Sequence, residues 1–223
     1  MKNISITIDH PVLLNKLIKA VHKYYPIGFN LRNDLYDGFL EATQIARNKV
    51  IQLHENSIPA PRIEFEKQLK AYFNGFVVFN DFHTEYPSFS FSIVLDRNDS
   101  IYFEKELLFT VKISLLTNHY TFFYQEYVKH KDVLHSTGHP YNTTIISLKS
   151  QVEKNKIANT HQITQMMTNC FPEYEYANHA LLFSTMIKYG VLYGEEDAYA
   201  KNDNSLYAFL FDNQTYISLL VVE

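Results

Sequence analysis

Apolar and polar positions alternate along this chain with two different periods. Leu14, Leu17, Ile18, Val21 and Tyr25 recur every three or four residues, the spacing of one helix face. Asp9-His10-Pro11 stands just before them and has the form of a helix start, a capping side chain followed by a proline whose missing amide is no loss in the first turn. Pro26 and Gly28 close that element. Leu35, Phe39, Ala42, Ala46, Val50 and Leu53 predict a second helix over about 33–54. It ends at Ser57-Ile58-Pro59-Ala60-Pro61, because proline lacks the helical donor and disfavours helix in the residue before it. A third helix, from about Arg62 to Asn74, gathers Phe65, Leu69, Tyr72 and Phe73.

The period then falls from 3.6 to 2. Phe89, Phe91, Ile93 and Leu95 alternate with Ser88, Ser90, Ser92 and Val94, the pattern of a strand with one buried face. Leu107 to Leu115 and Tyr120 to Val128 predict two more strands, separated by turns at Arg97-Asn98-Asp99 and Thr117-Asn118-His119. Turns this short imply antiparallel pairing, since parallel strands need a long crossover. Thr143 to Lys149 predicts a fourth strand. Helices follow near Thr160 to Cys170 and within Glu173 to Lys188. The chain closes as a predicted hairpin, Leu206–Phe211 and Tyr216–Val222 about Asp212-Asn213-Gln214, which has turn chemistry.

The expected fold class is therefore α+β: N-terminal helices packed in two layers with a mainly antiparallel sheet, a meander plus a C-terminal hairpin. Residues 1–223 read as one domain, helical over about 1–75 and sheet-rich over about 76–223, with a split near residue 80 as the rival.

Composition narrows the class. Hydrophobic residues make up 46% of the 223 and charged ones 20%, enough to build a core and too apolar for wholesale disorder. The formal net charge of −4 argues against a general binder of nucleic acid or anionic membrane. Residues 171–223 hold eight acidic and two basic side chains, so an acidic region lies near the end of the chain. One cysteine leaves no internal disulfide and no multi-cysteine metal site. The first ten residues are too polar for a secretory leader, no window approaches a membrane span, and the expected location is the cytoplasm.

Few residues invite chemistry. His130, Asp132, His135 and His139 crowd into one stretch and offer imidazole and carboxylate to a divalent metal such as zinc. Gly138 and Pro140 make that stretch a loop, where spacing constrains little, and the bland reading is a polar connection between strands. Cys170 with His161 or His179 has the elements of a thiol nucleophile and its base. Yet Cys170 shares an apolar face with Met166 and Met167, where cysteine acts as a small hydrophobe. The carboxylate pairs Glu64/Glu66, Glu104/Glu106 and Glu173/Glu175 read as ordinary surface solvation. Tyr120, Phe122 and Tyr124 on one strand face resemble a base-stacking platform, but Phe123 and Tyr127 on the other side favour a strand covered on both faces. The six glycines form no phosphate-binding loop.

Two functional expectations follow, in different classes. The first is a non-catalytic intracellular protein-binding module, of the immunity or antitoxin type, that engages a basic partner through its acidic, tyrosine-rich region. Tyr193, Glu195, Glu196, Asp197 and Tyr199 are the predicted contacts, because tyrosine supplies contact area at low entropic cost and acidic groups steer basic surfaces. The second is a metal-dependent hydrolase built on His130, Asp132, His135 and His139. A structural or self-assembling subunit, a homo-oligomer paired through strand edges, is a third reading. No nucleic-acid or membrane partner is expected.

Overall fold

The computed structural model describes residues 11–28, 36–55, 60–81, 87–130, 142–147, 157–192, 203–212 and 219–221. Helix α1 (Pro11–Tyr24) buries Leu17, Val21 and Tyr24, the stripe that the 3.6-residue period foretells. Helix α2 (Asp37–Val50) buries Ala42 and lies very close to α1: a Cβ on Gly38 would fall 2.0 Å from the Lys23 carbonyl oxygen, so only glycine fits there. A π-helical turn, Ile51–Glu55, extends α2. Helix α3 (Pro61–Tyr72) begins with proline in its first turn.

A sheet follows. Strands β1 (Val77–Asp81), β2 (Ser88–Asp99), β3 (Phe103–Ser114), β4 (His119–His130) and β5 (Asn142–Ser147) pair antiparallel in sequence order. The β2–β3 register shifts between Val94 and Asp96, a bulge at Leu95. Helix α4 (Ile157–Cys170) leads to β6 (Glu175–Tyr176), which runs parallel to the start of β4, His119↔Glu175 and Tyr120↔Tyr176. Helix α5 (His179–Ser184) is capped by the Asn178 side chain, which accepts from the amides of Ala180 and Leu181. Strands β7 (Met186–Ile187) and β8 (Asn204–Ser205) form a small antiparallel pair. Helix α6 (Leu206–Leu210) and β9 (Leu219–Val221) complete the described chain, β9 parallel to β5.

The fold is α+β with a mainly antiparallel meander, as expected, and it departs from expectation in three places. Strand β1 has no counterpart in the periodicity reading. The C-terminal hairpin does not form: 206–210 is helical and β9 joins β5. Ser205 accepts from the Ala208 amide, a helix cap that short apolar runs do not reveal by period alone.

The third departure concerns layers. Phe89, Phe91, Ile93, Phe109, Val111, Ile113, Tyr120, Phe122 and Tyr124 pack with α3 and α4 residues Phe65, Leu69, Ile163 and Met167 in one core. The opposite face meets a second core from α1, α2, α5 and α6, in which Phe123 joins Leu17, Val21, Leu182, Phe183, Tyr207 and Phe209. The expected two layers thus become helix, sheet, helix over β2–β4. The serine face of β2, read as solvated, is covered: Ser88 is 2% exposed and Ser90 is 6%.

Candidate functional site

Three places carry unusual chemistry or exposure. The first is the buried polar face of the sheet. Register puts Ser88 opposite Ser114, Ser90 opposite Lys112, and Lys112 opposite Thr121, all on the side that α6 covers. The Ser88 hydroxyl donates to the Phe211 carbonyl and the Ser114 hydroxyl to that of Leu210, at 2.9 Å for the latter. The Lys112 ammonium donates to the Asp212 carboxylate at 3.0 Å. Side-chain exposures of 9% and 11% make this a nearly dry ion pair, and removing either partner alone would strand the other charge. The arrangement fastens residues 210–212 to β2 and β3.

The second place is the start of β4. His119 is fully buried and neither ring nitrogen has a hydrogen-bond partner among the described residues. Burial first, then the charges of Lys16 and Lys49, lowers its pKa to about 4 against a partial opposing pull from Glu175. Lys49 donates to the Asn118 side chain and to the Tyr174 hydroxyl, and its own pKa is lowered by burial. His179, first residue of α5, is likewise fully buried and without a ring partner. Burial alone brings its pKa to about 4.

The third is the edge of the sheet. Among the described residues β1 pairs on one side only, with β2. Val77 and Phe79 share one face of it, each 55% exposed, and Phe76 beside them is 49% exposed. Phe76 packs edge-on against Phe73 at 6.2 Å, which leaves its outer side bare. An open ladder flanked by apolar side chains is a template for another chain.

The residues singled out from the sequence fare as follows. Tyr193, Glu195, Glu196, Asp197 and Tyr199 lie outside the described residues, as do Asp132, His135 and His139. His130 ends β4, its backbone opposite Phe103. Among the described residues, no group of three or more His, Cys, Asp or Glu side chains is placed to hold a metal. Of the described tyrosines near the acidic region, Tyr207 is 1% exposed and belongs to the core. Tyr176 stacks on Phe122 at 4.7 Å and Tyr174 lies edge-on to Phe171. Only Tyr189, 68% exposed and held at φ 59°, stands out; a left-handed backbone is uncommon for an aromatic residue.

Cys170 sits in a setting that disfavours the thiolate. Burial pushes its thiol up to about 11, and His161 sits nine residues earlier on α4, about 13 Å along the axis. Glu104 and Glu106 both reach Arg97, so that pair is a surface ion network. Tyr120, Phe122 and Tyr124 are buried under α3 and α4 and form no open stacking platform. Sequence reasoning missed Lys112 and Arg62. Arg62, 4% exposed, lies over the rings of Phe89 and Phe91 at 5.4 and 5.7 Å.

No family model matches the chain, and neither a curated protein nor a solved structure does. No helix of the described residues is long and apolar enough to cross a membrane.

Proposed function

We propose that this chain is a non-catalytic protein-binding module that acts in the cytoplasm. The observation that carries the reading is the β1 edge: a strand bonded on one side, with Phe76, Val77 and Phe79 about half exposed beside it. A partner segment adding to that edge gains main-chain hydrogen bonds and pockets for alternate side chains. Support also comes from the chemistry already described, in which the buried charges are paired for structure and the thiol stays protonated. The finer proposal is an inhibitor of the immunity or antitoxin kind. In it Tyr193, Glu195, Glu196, Asp197 and Tyr199 supply acidic and aromatic contacts that steer a basic protein.

The test is affinity capture with three proteins: wild type, Val77→Lys/Phe79→Lys, and a charge reversal at Glu195, Glu196 and Asp197. The expected result is one stoichiometric basic partner, lost with the edge variant and bound more slowly, with weaker salt dependence, by the charge reversal. Unchanged capture by both variants refutes the reading. Metal content measured on the same samples addresses the hydrolase alternative: one bound divalent ion per chain, lost in His135→Ala/His139→Ala, would replace the binding proposal.

A further inference from the structure

Strand β6 and helix α5 are tied to the sheet by little regular bonding. Strand β6 pairs with β4 over only two residues, His119↔Glu175 and Tyr120↔Tyr176, flanked by bonds from the Glu175 amide to the Asn118 carbonyl at 3.0 Å and from the Ala177 amide to the Tyr120 carbonyl at 2.8 Å. Apart from Glu175, most of the attachment is apolar and aromatic. Tyr176 stacks on Phe122, Phe183 meets Phe123 edge-on at 5.4 Å, and Ala177 and Leu182 are fully buried.

Polar groups without partners line this seam. His119 and Thr121 alternate with Phe123 on one face of β4, and His179 begins α5 with its ring 6.3 Å from that of Phe123. The Thr121 hydroxyl and all four nitrogens of the two imidazoles are buried with no hydrogen-bond partner among the described residues. Such groups are rare in folded proteins, and each is a place where the fold is held against its own hydration.

Burial makes protonation costly at both rings, and charged neighbours act on it at His119. Around His119 stand Lys16 of α1, Lys49 of α2 and Glu175 of β6. Glu175 lies 3.8 Å from both the His119 ring and the Lys16 ammonium, so its one negative charge is shared. Helix α5 contacts β4, α6, β8 and β9. Strands β8 and β9 contain no titratable residue and α6 contributes Tyr207; β4 adds, on the same face as His119, Tyr127 and Lys129 toward its far end. Among the described residues, no charged side chain offsets the burial of His179.

We propose that the segment 175–184 is a proton-released latch: protonation of His119 and His179 frees β6 and α5 from β4 and uncovers Tyr120, Phe122 and Phe123. Both rings must be neutral while the seam is closed and titrate as ordinary imidazoles once it opens. Acidification from pH 7.5 to 5 therefore raises the opening constant about 30-fold for each histidine, and on the order of 10³ for both.

Hydrogen exchange of the full chain over that pH range tests the proposal, after correction for intrinsic exchange. The expected result is a protection loss near 10³ at the amides of Ala177, Leu182 and Thr185, with an opening free energy there smaller at every pH than that of the β2–β3 amides, which exchange only when the whole chain unfolds. In His179→Gln the loss falls to about 30-fold. Equal opening free energies in the latch and in β2–β3 across the range would make this global acid unfolding and overturn the proposal, as would no loss at all. If the variant does not fold, histidine titration of the wild type by NMR decides the question. Two rings still neutral at pH 5.5 in the closed state support the latch, and ordinary titration near 6.5 refutes it.

Discussion

At the scale of single residues, the Lys112–Asp212 pair is the sharpest departure from what an alternating pattern suggests. A lysine on the polar side of a strand is normally solvated, and here both charges are nearly dry. Lys112→Met removes the cation that faces the nearly dry Asp212 carboxylate, and is expected to cost about 3–5 kcal/mol. Lys112→Met with Asp212→Leu removes both charges and should recover most of that loss; denaturant midpoints of the three proteins check it. Gly190 makes a different point. A Cβ there would come within 2.4 Å of Phe209 and 2.7 Å of Ile27, so Gly190→Ala is expected to destabilise by about 1–3 kcal/mol through overpacking, read from the melting temperature. The side chains that crowd it come from distant parts of the chain.

Among elements, α6 is the one whose position matters most. It is five residues long, too short to persist alone, and side chains from two strands hold the turn that follows it. Ser114 serves twice: it donates to the Leu210 carbonyl and accepts from the amides of Leu116 and Thr117. Ser114→Ala is expected to cost about 1–3 kcal/mol, since it leaves buried partners unmade. Exchange protection should fall first at Leu210 to Asp212, and an unchanged α6 would show that packing of Phe209 and Phe211 suffices. The same reasoning explains why 206–211 reads as a strand. Its run of apolar residues fits either element, and the choice rests on the Ser205 cap and on the serines of β2 and β3. Strand β1 was missed because Val77-Val78-Phe79 has no clean alternation, and its pairing with β2 supplies what its pattern lacks.

The whole molecule has a helix layer on each face of β2–β4 and two neutral histidines inside. That combination sets its response to acid. Both imidazoles have folded pKa values near 4 against an ordinary 6.5, so the unfolded chain binds protons more readily. Their stabilising contribution is complete above about pH 6.5 and is lost as pH falls toward 4. The slope is about 1.4 kcal/mol per pH unit for each ring. Unfolding free energy measured between pH 7.5 and 4.5 should therefore decline, and His119→Phe should flatten the curve. A curve independent of pH in that window would contradict the dry, unpartnered setting of the two rings.

The periods along the chain settled the first three helices, the meander and its antiparallel order, because those signals are local: 3.6 for a buried helical stripe, 2 for a strand. Tertiary structure decided what covers each face. Ser88, Lys112 and Ser114 occupy polar positions in any local reading, and they are buried because carbonyls and a carboxylate some 100 residues away meet their donors. His119 and His179 are ordinary histidines in the sequence; burial between a strand and distant helices makes them neutral. The exposed edge at β1 was equally beyond the pattern, since which strand is left unpaired depends on the order of the whole sheet.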